Sequence, residues 1–181
     1  MESYKHKDIK YDLYWDQITE ERYALIEKTI GRTRTDVFTE TENISIAIEI
    51  QYSPLPVKTI LHRMREHTKK NIYTLWLLTE ELLLSKDRVR NLKCVRFLQH
   101  LQNGVIFVIR DHKILPARID NTLEFLPTKI ITGKKKILDT RNPVTLDDLC
   151  FTQNDLYKVN ITTLGEWWLD SYLECFEVFR Q

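Results

Sequence analysis

Cysteine is scarce in this chain of 181 residues: Cys94, Cys150 and Cys175 are far apart and odd in number. That spacing argues against a disulfide frame or a cysteine-held zinc and leaves buried thiols as the expectation. Long apolar runs are also missing. The most hydrophobic stretch, Leu75 to Leu84, is interrupted by Thr79, Glu80 and Glu81, so no segment can span a bilayer as a helix. The opening Met1-Glu2-Ser3-Tyr4-Lys5-His6-Lys7 has no apolar core of a signal peptide, so a cytoplasmic protein with no membrane partner is expected. Charge of one sign is lacking as well. Lys and Arg number 27 against 26 Asp and Glu, and a net charge of +1 does not by itself announce a nucleic-acid binder. Internal repeats and low-complexity segments are absent.

What is present is an ordinary globular composition. A hydrophobic content of 43% and a charged content of 29% fit one domain with a sizeable core. Basic residues cluster locally, at Lys58 to Lys70, Lys86 to Arg96 and Lys134-Lys135-Lys136. Each cluster is either a solvated face or a contact for phosphate.

Periodicity organises the first half of the chain. Glu2 to Ile18 reads as a helix with Tyr11, Tyr14, Trp15 and Ile18 as its apolar side. Tyr23 to Ile30, Thr33 to Thr39 and Ile44 to Gln51 read as strands, with Gly31 and the polar Glu40–Asn43 as turns. Pro54 and Pro56 close the third strand and open an amphipathic helix, Pro56 to Lys70. Val57, Ile60, Leu61 and Met64 should face its core side, and Lys58, His62, Arg65 and Lys69 should form a basic stripe. Ile72 to Leu78 reads as a buried strand running parallel to its neighbour. Further on, Asp87 to Gln102 reads as a helix, Val105–Arg110 and Lys113–Ile119 as a hairpin around Asp111-His112, and Leu123 to Ile131 as a strand. Gly133 to Leu146 reads as a basic loop and Leu164 to Phe179 as a terminal helix. The aromatic residues of that last helix, Trp167, Trp168, Tyr172 and Phe176, suit a core or a homodimer contact.

The segment Ile44-Ser45-Ile46-Ala47-Ile48-Glu49-Ile50-Gln51 carries the chemistry. Alternation puts Ser45, Ala47, Glu49 and Gln51 on one face and the isoleucines on the other. Asp36 precedes Glu49 by thirteen positions, on the preceding strand. If the two strands pair, two carboxylates converge on one point and need a cation. Hard oxygen donors in small number suit Mg²⁺ or Mn²⁺.

The order helix, three strands bearing Asp and then Glu-x-Gln, helix, strand resembles the core of the PD-(D/E)XK nuclease superfamily. More narrowly, Arg34-x-Asp36-Val37, Ile48-Glu49-Ile50-Gln51-Tyr52-Ser53-Pro54-Leu55, Ile60-x-x-Arg63 and Thr74-Leu75-Trp76-Leu77-Leu78 resemble the CoiA-like competence nuclease family. Glu2-Ser3-x-x-His6-x-x-x-Lys10 is similar to that family's opening helix. The resemblance covers residues 2 to about 80. Gln51 stands where the superfamily has lysine, and His67 stands where the family often has tyrosine.

The resemblance implies an α/β fold: a restriction-endonuclease-like core with a mixed central sheet flanked by helices in the order α-β-β-β-α-β, and a C-terminal α/β extension. The core would span 1–85, with 86–181 completing the same domain. It implies a metal-dependent nuclease acting on DNA in competence, recombination or repair. Asp36, Glu49 and Gln51 would be catalytic, and Asp36, Glu49 and the Ile50 carbonyl would hold Mg²⁺ or Mn²⁺. His6, Lys10, Arg34, Ser53 and Arg63 would contact substrate phosphate. Alternatives stand beside these roles. His6 and Lys10 suit the solvated start of a helix, and Ser53 suits the turn before Pro54. Arg63 suits a structural carboxylate, and Arg34 suits a buttress for Asp36. A non-catalytic nucleic-acid-binding module on a nuclease scaffold is the competing reading of the whole, and Gln51 favours it. An interaction protein using the C-terminal aromatic residues is a third.

Overall fold

Ile72–Thr79 is apolar on both sides, and such a strand is stable only with both faces covered. It lies inside a mixed sheet, parallel to Ser45–Gln51 on one edge and to Ile106–Arg110 on the other. Lys158–Asn160 adds alongside that second edge at Val159↔Thr74. The computed structural model describes residues 4–85, 88–102, 104–122, 125–126, 129–130, 135–140, 142–149, 151–153 and 158–160. Across the sheet the strands run Tyr23–Ile26, Val37–Glu40, Ser45–Gln51, Ile72–Thr79, Ile106–Arg110, Lys113–Thr122 and Lys135–Thr140. The outer pairs are antiparallel and the inner ones parallel.

Helices cover both faces. Helix α1 (Tyr4–Thr19) packs Leu13 against Ile46, Ile48, Ile50, Leu75 and Leu77. Helix α2 (Val57–Lys69) and the helix Lys93–Leu101 pack Ile60, Met64, Val95 and Leu98 against Trp76, Leu78, Ile106 and Val108. The order helix, three sheet strands, helix, strand is that of a restriction-endonuclease-like core, as the sequence implied. Ile60 and Met64 are buried, and Lys58, His62, Arg65 and Lys69 lie on the exposed side of α2, also as expected. The hairpin at Asp111-His112 forms with both residues at positive φ, 48° and 62°. Cys94 is a buried free thiol.

Several expectations are corrected. The inward face of α1 is Lys10, Leu13 and Gln17, while Tyr11 and Trp15 are 52% and 59% exposed. Lys10 meets Glu27 and Asp36 there and Gln17 accepts from Arg22, pairings that a search for apolar periodicity cannot see. Tyr23–Ile30 breaks into Tyr23–Ile26 and Thr29–Ile30 at Glu27, which has φ 54°. Thr33–Thr39 likewise breaks into Thr33–Arg34 and Val37–Glu40, with Asp36 in the gap. The helix expected from Asp87 begins at Lys93, because Arg88–Val89 first pairs with Leu84–Ser85. The stretch expected as a strand from Leu123 instead carries a two-stranded pairing of Phe125–Leu126 with Lys129–Ile130. Lys135–Thr140, expected as loop, is a strand on Lys113–Thr122: sheet pairing there overrides an uninformative basic sequence. The C-terminal helix and the homodimer contact assigned to it lie outside the described residues, as do Cys150 and Cys175.

Candidate functional site

The antiparallel ladder between Val37–Glu40 and Ser45–Gln51 ends at Val37↔Ile48. Beyond that step the chain carrying Thr35 and Asp36 turns towards the other side, where Thr35 N–H bonds the Lys28 carbonyl and the Asp36 carbonyl accepts from Glu27 N–H. Side chains then take over the abandoned partners. Asp36 Oδ2 accepts from the Ile50 N–H at 2.8 Å, and Thr35 Oγ1 donates to the Ile48 carbonyl at 3.0 Å. In a strand a residue's N–H and C=O share an edge, so the Ile50 carbonyl lies on the edge that faces Asp36.

Asp36 is held on its other oxygen by α1. His6 Nε2 is 3.4 Å and Lys10 Nζ 3.6 Å from Oδ1, and Lys10 also binds Glu27 at 2.8 Å. Burial pulls the Asp36 carboxyl upward, but His6, the Ile50 N–H and Lys10 outweigh it and hold the group below the usual carboxylate range.

Glu49 sits one register step across, on the face covered by α2. Its side chain is 1% exposed. Arg63 donates to Oε2, while Oε1 is buried with no hydrogen-bond partner. Burial pushes the carboxyl up to about 8 against the opposing pull of Arg63, and the nearby Asp36 adds to the rise. His67, one helical turn beyond Arg63, is fully buried. Its Nε2 is 3.6 Å from Glu49 Oε1 and 3.4 Å from Thr33 Oγ1, and its Nδ1 is 2.9 Å from Thr74 Oγ1. Burial, with Arg63 adding, pushes the imidazole down to about 4.

The remaining residues singled out in the sequence scatter. Gln51 is nearly buried and its Nε2 donates to the Ser53 carbonyl, so the Gln51–Ser53 link runs through backbone and the exposed Ser53 hydroxyl takes no part in it. Arg34 is 65% exposed and binds Glu27 at 3.3 Å rather than Asp36, so any buttressing passes through Glu27 and Lys10. Arg63, for which phosphate and carboxylate were both open, is on a carboxylate. Sequence reasoning missed Glu27, Thr35 and Tyr52, whose ring stacks on His6 with centroids 6.4 Å apart. Nothing in their spacing marks them. His67 carried a signal: at i+4 from Arg63 it shares that residue's side of the helix.

A model of the family described as competence protein CoiA, nuclease-like domain, matches residues 2–154. The chain belongs to that family. No curated protein and no solved structure matches it. The match to this nuclease-like domain takes in both carboxylates, both helices around them and the strands Ile106–Arg110 and Lys113–Thr122.

Among the described residues no three His, Cys, Asp or Glu side chains gather as a metal site. The donors of the nuclease-like domain nevertheless fit Mg²⁺ or Mn²⁺ in kind. Such ions are bound by one or two carboxylates, with water and substrate phosphate completing the shell. Here two carboxylates and a backbone carbonyl share the splayed strand ends, and one buried carboxylate oxygen lacks a partner.

Proposed function

We propose that this nuclease-like domain is a phosphodiesterase that cuts DNA, with Mg²⁺ or Mn²⁺ held by Asp36, Glu49 and the Ile50 carbonyl, in competence, recombination or repair. The observation that carries the reading is the unpartnered, buried Glu49 Oε1 at the point where the strands part beside Asp36. A buried carboxyl oxygen without a hydrogen bond is costly, burial holds this group protonated up to about pH 8, and a divalent cation is the group that would displace that proton. When bound, the ion would neutralise charge on the scissile phosphate and lower the pKa of a coordinated water.

The protein's own groups do the rest. His6 and Lys10 keep Asp36 ionised. Gln51, with its amide N–H on Ser53, keeps its carbonyl oxygen to accept a hydrogen bond from the attacking water and so orient it; it supplies no charge and takes no proton. Arg63, 30% exposed, would turn outward to phosphate on leaving Glu49, and the exposed Arg34 and Ser53 would contact substrate phosphate.

The test is cleavage of duplex and single-stranded DNA by purified protein in Mg²⁺ or Mn²⁺. Wild type should cut, and Asp36→Ala and Glu49→Ala should be inactive but still bind DNA. Undiminished cleavage by both variants would refute the reading.

Two observations favour a non-catalytic nucleic-acid-binding module instead: Arg63 already occupies one oxygen of Glu49, and Gln51 stands where the superfamily has lysine. That alternative predicts salt-sensitive DNA binding with no Mn²⁺ uptake in calorimetric titration.

A further inference from the structure

A chain of buried polar contacts runs behind Glu49, from Thr33 through His67 to Thr74. Thr33 Oγ1 spends its only proton on the Ile30 carbonyl, 3.0 Å away. Towards His67 Nε2, 3.4 Å distant, the same oxygen can therefore only accept. Nε2 must carry the proton. In the neutral ring, the form that full burial favours, Nδ1 is then the acceptor and the Thr74 hydroxyl at 2.9 Å its donor. The ring is pinned at both ends, in full burial, with one N–H lying between Thr33 Oγ1 and Glu49 Oε1 at 3.6 Å. Arg63 holds the other carboxylate oxygen. Glu49 is thus met at both oxygens from one side of α2, with Oε1 facing a fixed donor that weakly orients it without consuming it.

We propose that His67 is the positioning residue of Glu49: through the Thr33–His67–Thr74 chain it sets the carboxylate rotamer that leaves Oε1 for a divalent cation. The proposal rests on the metal-binding reading above. Contacts of this kind behind a metal ligand typically change affinity by about 10- to 100-fold when removed, because the ligand must then be ordered at the moment of binding.

Mn²⁺ affinity, read from the electron paramagnetic resonance of the free ion, separates the possibilities without reference to turnover. Wild type should bind Mn²⁺, and Glu49→Ala should not. His67→Phe, which keeps the volume and deletes the donor, should bind about tenfold more weakly or worse. His67→Gln, which can present an amide N–H in the same direction, should recover most of the loss. A merely structural role would lower the melting temperature of both variants and leave the affinity of the folded protein unchanged. Equal Mn²⁺ affinity in wild type and His67→Phe would overturn the positioning role while leaving the metal site standing. No Glu49-dependent Mn²⁺ binding in wild type would overturn both. Histidine ¹⁵N–¹H correlation spectra of the metal-free wild type give a second measurement that needs no variant to fold. They should show His67 protonated on Nε2, and an Nδ1–H signal for this ring would overturn the proposal.

Discussion

Arg63 and Glu49 form a half-finished ion pair: the guanidinium satisfies Oε2 from helix α2 and leaves Oε1, on a side chain 1% exposed, without a hydrogen bond. Removing the arginine should leave a buried carboxyl with no counter-ion. Breaking a fully buried pair costs about 3–5 kcal/mol. Arg63 keeps contact with water and Glu49 can take up a proton, so Arg63→Ala should cost less, about 2 kcal/mol at pH 8 and less at pH 6. Urea denaturation at the two pH values measures this. An equal loss at both would show that the pair is not what Arg63 contributes.

Stability should also depend on pH through the two buried groups. Glu49 is raised from 4.5 to about 8, so between those values the folded state holds a proton that the unfolded chain has released. Stability falls as pH rises through that window. His67 is lowered from 6.5 to about 4, so between those values the unfolded chain binds the extra proton, and stability rises with pH. The two slopes oppose each other below pH 6.5, and only that of Glu49 remains above it. Without divalent ions, stability should drop by about 2 kcal/mol between pH 6.5 and 8.5. Glu49→Gln should abolish the drop, which thermal melts across that range will reveal.

Asp36→Asn keeps the shape of the side chain and removes its charge. The amide oxygen can still accept from Ile50 N–H, so the folded state should survive with a loss of about 1 kcal/mol. Cleavage in Mg²⁺ or Mn²⁺ should fall by about 10²-fold or more, as expected when a group stabilising the reacting phosphate is lost. Activity within a few-fold of wild type would remove Asp36 from the chemistry.

Gly31→Ala probes the turn between Thr29–Ile30 and Thr33–Arg34. Gly31 has φ 57°, and a Cβ there would run into the Glu66 carboxylate, which Arg32 N–H and Lys69 hold in place at 3.0 and 2.7 Å. A side chain in this left-handed conformation costs about 1–2 kcal/mol, and the collision adds to it. A melting temperature unchanged from wild type would show that the turn relaxes freely.

Legibility in the sequence followed the number of residues that share one signal. Ser45–Gln51, α2 and Ile72–Thr79 were readable because burial repeats along each of them at a fixed period. The break at Asp36 was not, because it comes from one residue's side chain replacing a ladder partner at Ile50. Helix α1 was found, but its buried face was assigned to aromatics, because the face it buries includes Lys10 and Gln17, polar groups facing other polar groups. The late strand Lys135–Thr140 has no period of its own and is defined by its pairing with Lys113–Thr122.

The two acidic positions and the strand–helix–strand unit beside them were determined by the amino-acid order alone, since alternation and helical spacing are local properties of the backbone. Only the tertiary structure decided that Arg63 closes on one oxygen of Glu49, that His67 stands behind the other, and that Lys10 is buried against Glu27 and Asp36. Those contacts join residues 14 to 26 positions apart or on separate elements. Their energy depends on burial and direction, which no local pattern encodes.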